Sequence, residues 1–516
     1  MQEIDARMTY SSEWGLIPQK YNIAVDVCDG QDPRGLAMVY RPDGDVAEYV
    51  SWQWMRDRAG RFGTYLRGQG VRPGDRVACV LPPSPDTAAA ILGALRIGAV
   101  LVLASALWTG ESLEYRLTDS APAIVLTTGE RVTEIRELTE ARVVAVDRGL
   151  LDGISPHCPA EETLADAPAA IYYTSGTSGP PKGIVHAHRW LLGHNEFAVC
   201  HGLRPGELFH GAGDWAWSLA KLLGPWRHRA VPFVFGNDGP FDPVALFAAL
   251  AEAKVTNVLL NPTVVRRLRS VMPDAGVRLG LSLRCAYSSS EPLPAELADW
   301  FAQQFGVPLQ DYYGLTESYP MIGSLPGSTP PRGSMGRPLP GWQVTLLDGD
   351  DQPVPPGTPG EICLRARTNP QYPLGYWNRP EETEAVFGGE WFRTGDTATR
   401  DEQGHYYFLG RNDDVIISSG YRIGPYDLEA VLSTHPAVSE SAVVGDADPD
   451  RGQVVHAYIV LRSGYRPTAE LTRDIQNHVK TTHSRFAYPR RVDYVASLPR
   501  STTNKIQRGV LRAGAS

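Results

Sequence analysis

Short apolar runs alternate with longer amphipathic stretches along most of the chain. The runs at 76–81, 99–103, 123–126, 142–146, 231–235, 257–260 and 283–287 have the length of buried strands. Between them, 52–68 and 243–253 carry apolar residues at helical spacing. This alternation predicts an α/β architecture with largely parallel sheets. The texture changes near residue 329, where Pro330, Pro331, Gly333, Gly336, Pro338, Pro340 and Gly341 crowd together. Short strand-like segments follow at 343–348, 360–365 and 405–409, so a β-rich subdomain is expected over about 329–412. Further on, 425–433 and 469–480 read as helices, and 438–445, 454–461 and 491–495 as strands. That predicts a separate small α+β domain over 413–516, after an N-terminal domain over 1–412.

Composition narrows the function. The chain has 516 residues, 42% apolar and 21% charged, the balance of a soluble globular protein. Its net charge of −9 comes from interspersed acids and bases, which disfavours nucleic acid as a partner. A local exception is the C-terminal stretch with Arg473, Lys480, Arg485, Arg490, Arg491, Arg500, Lys505, Arg508 and Arg512, which suits a small polyanion. The six cysteines are scattered and form no CxxC pair, as expected of buried thiols in a reducing cytoplasm. The charged first seven residues do not look like a signal peptide. The most apolar window, 87–108, is broken by Gly93, Arg96 and Gly98, so it predicts a core helix and a buried strand and no stable membrane insertion.

The sharpest chemical signal is Tyr173-Thr174-Ser175-Gly176-Thr177-Ser178-Gly179-Pro180-Pro181-Lys182-Gly183. A strand-like run enters a loop of small and hydroxylated residues, which lets backbone N–H groups and hydroxyls approach phosphate oxygens. It is not a Walker loop, because Pro181 and Gly183 flank the lysine.

This segment resembles the phosphate loop of the adenylate-forming superfamily: acyl-CoA synthetases, luciferases and peptide-synthetase adenylation domains. Further motifs follow in the family's order: Ser288-Ser289-Ser290-Glu291-Pro292-Leu293, Asp311-Tyr312-Tyr313-Gly314-Leu315-Thr316-Glu317, Trp391-Phe392-Arg393-Thr394-Gly395-Asp396 and Gly410-Arg411-Asn412-Asp413-Asp414. The last are Ser418-Ser419-Gly420-Tyr421-Arg422-Ile423-Gly424-Pro425 and Leu498-Pro499-Arg500-Ser501-Thr502-Thr503-Asn504-Lys505-Ile506. The chain looks closest to medium-chain acyl-CoA synthetases. The resemblance implies a large N-terminal domain of two α/β sheet subdomains plus the β-rich one, with a mobile C-terminal α+β domain hinged at Asp413. It implies an ATP-dependent ligase that joins a small carboxylic acid to CoA through an acyl-adenylate, with Mg²⁺, as a monomer or homodimer.

The resemblance also assigns roles. Catalysis falls to Lys505, Thr316, Glu317 and Lys182, since attack of one anion on another needs cations and donors around the α-phosphate. Glu317 is the Mg²⁺ ligand. The nucleotide is held by Thr174, Ser175, Gly176, Thr177, Ser178, Gly179, Ser290, Glu291, Pro292, Asp311, Tyr312, Tyr313, Thr316 and Arg422, with Asp396 and Arg411 on the ribose. Tyr312 is expected to stack on the adenine. CoA is expected at Ser419, Gly420, Tyr421 and Lys480. The acyl pocket is expected at Trp215, Trp217, Tyr287, Gly314 and Tyr319, with Trp215 and Trp217 on a helix. Asn504 replaces the glycine usual before the lysine. The acid is expected to be medium-chain, branched or cyclic. An enzyme of specialised metabolism acting on a bulky terpenoid, polyketide or aromatic acid, or one loading a carrier protein, is the alternative.

Overall fold

The computed structural model describes residues 17–42, 46–147, 149–174, 181–236, 241–365, 367, 369–411, 414, 416–418, 421–448, 452–482, 487–500 and 506–513. Strands Arg76–Val80, Val100–Leu103, Ile124–Thr127 and Arg142–Ala145 lie parallel in one sheet. Every residue of Val100–Leu103 and Ile124–Thr127 is buried, as expected of parallel strands covered on both faces. Pro168–Thr174 joins parallel to Val100–Leu103, and the chain returns antiparallel as Lys182–Ala187, with Thr174 opposite Lys182.

Helices Trp52–Gly68 and Pro85–Arg96 pack at close range in the same core. A Cβ on Gly93 would lie 2.7 Å from the Ala59 carbonyl oxygen and 2.7 Å from the Phe62 Cβ. Gly93→Val is therefore expected to cost about 1–3 kcal/mol by overpacking. A lower thermal midpoint is the expected readout, and an unchanged midpoint would show that the helices separate freely.

A second sheet positions the site. Strands Leu208–Gly211, Asn257–Leu260, Cys285–Ser288 and Leu309–Leu315 run parallel as neighbours, and Ser318–Gly323 folds back antiparallel on the last. Register sets Leu260 beside Ser288 and Ser288 beside Asp311, so their carboxyl ends are level. Open parallel sheets form their ligand crevice at that edge.

The β-rich part is an antiparallel sheet of Val344–Leu347, Gly360–Arg365, Trp391–Arg400 and Tyr406–Arg411. Asp396 does not follow a strand end, as its Thr-Gly context suggests. Trp391–Arg400 is continuous, with Gly395 at φ 75° and a register shift opposite Glu361 and Cys363. The motif is a bulge inside a strand, which re-aims the side chain.

The small C-terminal unit is a sheet of Ile416–Ser418, Tyr421–Ile423, Val438–Asp448, Gly452–Leu461 and Arg491–Tyr494 with helices Pro425–Ser433 and Ala469–Thr482. It has its own core of Ile416, Leu428, Val443, Ile459 and Ile475. The Tyr426 ring meets Phe408 of the β-rich sheet at 5.3 Å. Among the described residues no helix is long and apolar enough to cross a membrane.

Candidate active site

Two sheets deliver their charges to one place. The bulged strand Trp391–Arg400 sets Asp396 opposite Arg411 on Tyr406–Arg411. Asp396 is 4% exposed, and Arg411 Nη1 lies 3.7 Å from its Oδ1. The Tyr313 hydroxyl, from strand Leu309–Leu315, donates to Asp396 Oδ2 at 2.8 Å. Burial, reinforced by Asp396, pushes the Tyr313 pKa far up, so the phenol stays a donor. Glu317 lies in the turn after that strand. Burial raises its pKa, and the charges of Arg411, Asp396 and Lys182 all act on it. Lys182 is ion-paired to Glu382 and stands 5.1 Å over the Tyr376 ring.

The neighbouring strand end makes a second wall. Ser290 is exposed with φ at 75°, a left-handed turn. The Thr263 hydroxyl donates to both Glu291 carboxylate oxygens at 2.8 and 2.9 Å, and Pro292 is half-buried. Asp311 accepts from the Tyr312 N–H at 3.0 Å; burial raises its pKa against the backbone N–H groups of Tyr312 and Leu293. Asp311 thus ties the Ser290–Pro292 turn to the tyrosine strand. Tyr312 does not present a free face to an adenine. It is 3% exposed and stacks on Tyr287 at 4.1 Å and 11°. Adjacent strand residues point to opposite faces, and the tyrosine on the Asp396 side is Tyr313.

Some expected acyl-pocket residues converge and others do not. Tyr319 meets Tyr312 edge-on at 6.2 Å, and a Cβ on Gly314 would lie 2.8 Å from the Tyr319 ring. The Tyr312 and Tyr319 hydroxyls are buried without a hydrogen-bond partner among the described residues. Tyr287 is 1% exposed and donates to the Ser324 carbonyl. Trp215 is buried in the main core. Trp217 turns away, packing edge-on against Trp108 at 5.1 Å in the core of the other sheet. Neither tryptophan is helical: they lie in a turn, and the helix begins at Ala220.

A family model for an AMP-binding enzyme matches residues 28–377, and one for an AMP-binding enzyme C-terminal domain matches 427–505. The chain belongs to the AMP-binding enzyme family. It is 32% identical over 495 residues to an uncharacterized acyl-CoA ligase, YtcI, of Bacillus subtilis (strain 168), covering 92% of each chain. It is 32% identical over 533 residues to the mitochondrial acyl-coenzyme A synthetase ACSM5 of Rattus norvegicus, covering 96% of this chain and 91% of that one. The solved anthranilate CoA ligase AuaEII in complex with anthranoyl-AMP superposes with a TM-score of 0.88 at 28% identity, over 97% of this chain and 98% of that one. This AMP-binding enzyme is thus an AMP-forming acyl-CoA synthetase, with ATP binding and acyl-CoA ligation through an acyl-adenylate established at family level.

Several expected site residues of this AMP-binding enzyme lie outside the described residues: Ser175, Gly176, Thr177, Ser178 and Gly179 of the phosphate loop, Asp413 of the hinge, Ser419, Gly420 and Lys505. Thr174, Tyr421 and Arg422 are described by backbone alone, all within strands. The ends of the Lys505 loop are fixed, however. Arg500 bridges Ile506, and the Gln507 N–H donates to the Pro499 carbonyl at 2.9 Å. Lys480 stands apart on helix Ala469–Thr482, its ammonium 4.1 Å over the Tyr488 ring.

Two residues that the sequence motifs do not include hold the Thr316–Tyr319 turn from either end. His186 Nε2 donates to the Thr316 carbonyl at 2.9 Å. Burial lowers the pKa of His186 to about 3, so the ring is neutral and only one nitrogen carries a proton. Gln371, 1% exposed, accepts the Tyr319 N–H at 3.0 Å and donates to the Gly193 carbonyl at 2.9 Å. His186 lies four residues beyond Lys182 on the same strand, and that adjacency was the available sequence signal. His186→Phe keeps the ring packing on Tyr172 and Trp190 but strands the Thr316 carbonyl, a loss of about 1–3 kcal/mol. We expect turnover to fall roughly ten-fold or more, with a weakened Mg²⁺ response if Glu317, next in the turn, is the cation's ligand. A Mg²⁺ titration superimposable on the wild type would dismiss this positioning role.

Proposed function

We propose that this enzyme activates a medium-chain, branched or cyclic carboxylic acid with ATP and passes the acyl group to CoA. The observation that carries this is the convergence of Tyr313, Glu317, Asp396 and Arg411, from separate sheets, on one buried group of charges. Asp396 and Arg411 would take the ribose, and Tyr313 would sit on the adenosine side. The Ser290–Pro292 turn with Asp311 would hold the base. Thr316 and Lys505, together with the phosphate loop from Thr174 to Lys182, would stabilise charge at the α-phosphate while the acid oxygen attacks and pyrophosphate leaves.

Glu317 suits Mg²⁺. It is half-buried and makes no ion pair with a described residue. A hard cation that keeps water and phosphate oxygens needs only one or two such carboxylates, and bound there it would neutralise phosphate charge. For the second half-reaction the C-terminal domain, 413–516, would turn about Asp413, withdrawing Lys505 and presenting Ser419, Gly420, Tyr421 and Lys480 to CoA.

The names of two relatives bear on the acid. One is a synthetase of the ACSM series and another a ligase solved with anthranoyl-AMP, an aromatic acyl-adenylate. Buried phenols at Tyr287, Tyr312 and Tyr319 favour a short or flat acid over a long chain. The test is exchange of labelled pyrophosphate into ATP across straight, branched, aromatic and polycyclic acids, followed by CoA. Acid-dependent exchange and CoA-dependent AMP release are expected. Exchange without thioester formation would point to a carrier-protein acceptor, and no exchange with any acid would overturn the proposal.

A further inference from the structure

The strand end at Leu208–Gly211 holds a lysine that the roles above leave unused. Lys221 lies in the first turn of helix Ala220–Arg227 and reaches back over the strand. Its stem fills the space above Gly211, where a Cβ would lie 2.8 Å from the lysine's Cγ and Cδ. Its ammonium donates to the Ala212 carbonyl at 2.6 Å, and a Cβ on Gly213 would be 3.5 Å from it. Only glycine at position 211 leaves that path open, so the local sequence accommodates the lysine. Three N–H donors are available on an ammonium. Among the described residues the Ala212 carbonyl is its one hydrogen-bond partner.

Register places the ammonium's carbonyl partner at the carboxyl edge of the sheet. Gly211 pairs with Leu259, and the next residue along, Leu260, pairs with Ser288, itself opposite Asp311. Two strand spacings, roughly 10 Å, separate the lysine's carbonyl partner from the Ser288 strand. Its carbonyl partner, Ala212, directly follows the last residue of strand Leu208–Gly211.

Asp214 decides what chemistry the lysine can accept. Its Oδ2 takes the Ser105 hydroxyl at 2.6 Å, and its Oδ1 takes the Ala216 N–H at 3.0 Å. It makes no direct ion pair with a described residue, yet its charge acts on Lys221. Burial lowers the Lys221 pKa to about 8 while Asp214 opposes that shift, so the ammonium prevails at neutral pH. A second carboxylate on the ligand would bring excess negative charge to a site already near balance. A neutral oxygen uses the spare N–H groups without that penalty.

Building on the proposed function, we propose that Lys221 recognises a hydroxyl or carbonyl oxygen on the acid, remote from its reacting carboxyl. The purified full-length enzyme is tested by pyrophosphate exchange on matched acids: octanoate against its terminal hydroxy derivative, cinnamate against its para-hydroxy derivative, and suberate as the dicarboxylate. The wild type is expected to favour the oxygenated member of at least one pair by about ten-fold or more in kcat/KM, the range of a hydrogen bond to a charged group. Suberate should gain nothing over octanoate. Lys221→Met keeps the stem and should shrink the preference ratio by the same factor, with Lys221→Arg restoring part of it. A purely structural lysine would lower both members together and leave the ratio unmoved, which overturns the inference. A wild-type preference for the plain acid in both pairs also overturns it, without recourse to any variant. If plain acids support exchange and oxygenated ones gain nothing, only the role of Lys221 falls. If no acid supports exchange, the ligase proposal falls with it.

Discussion

Lys505→Ala is expected to lose acid-dependent pyrophosphate exchange by about a hundred- to a thousand-fold, the usual loss when one preorganised donor is removed from developing charge. Thioester formation from a supplied acyl-adenylate and CoA should fall far less, because the acyl group is then already activated. The argument rests on where the loop is anchored. Residues 501–505 lie outside the described residues, but both ends of the loop are fixed by the Arg500–Ile506 bridge and the Gln507 to Pro499 hydrogen bond. Leu498 and Leu511 are buried with Tyr458 in a small cluster, and Ile506 packs against it. Arg500 is held by Glu440 at 2.9 Å. In the proposed function the lysine enters and leaves the site with the C-terminal domain, to which the flanking residues are tied. Equal loss of both half-reactions in the variant would contradict the proposal that Lys505 serves only the first.

Much of this architecture was written in the apolar pattern. The runs at 231–235 and 257–260 are strands with those bounds, and 52–68 and 425–433 are helices with theirs. The core helix expected at the start of the 87–108 window runs from Pro85 to Arg96, beginning two residues before that window, because Ser84 caps it and Pro85 can open it. Strand Ser318–Gly323 was not legible. Its pairing with Leu309–Leu315 depends on a turn whose supports, His186 and Gln371, come from remote parts of the chain. The chemistry-bearing residues were legible as strings, but their orientation was not. Tyr312 and Tyr313 are chemically alike, and which one faces Asp396 is fixed by strand alternation and by Tyr287, which stacks on the other. Asp396 likewise reads as a turn residue until the partner strand shows that the chain bulges there. Trp217 was drawn to the acyl side by its neighbours in sequence, whereas packing sends it to Trp108.

Asp396→Ala is expected to raise the KM for ATP by about a hundred-fold or more, with Asp396→Asn intermediate. In the proposed function the carboxylate accepts the ribose hydroxyls, and hydrogen bonds to a charged group contribute about 1.5–3 kcal/mol each. One feature of the site makes the alanine variant the worse one. The Tyr313 hydroxyl now donates to Asp396 and is buried, so alanine leaves it without this acceptor, whereas asparagine still offers a carbonyl oxygen. In either variant Arg411 would lose the carboxylate 3.7 Å away while its charge still acts on Glu317. The arginine's charge would then fall more fully on Glu317, strengthening the carboxylate form and leaving less negative charge free for a shared cation. The two variants therefore separate the contributions. Both should weaken ATP binding and, being equally uncharged, both should shift the Mg²⁺ titration, while the alanine variant alone should also lose the Tyr313 contact. A KM for ATP within about two-fold of the wild type in the alanine variant, less than a single such bond contributes, would show that the ribose does not sit on this carboxylate. The buried pairing with Tyr313 would then be structural, holding the bulged strand against the tyrosine strand.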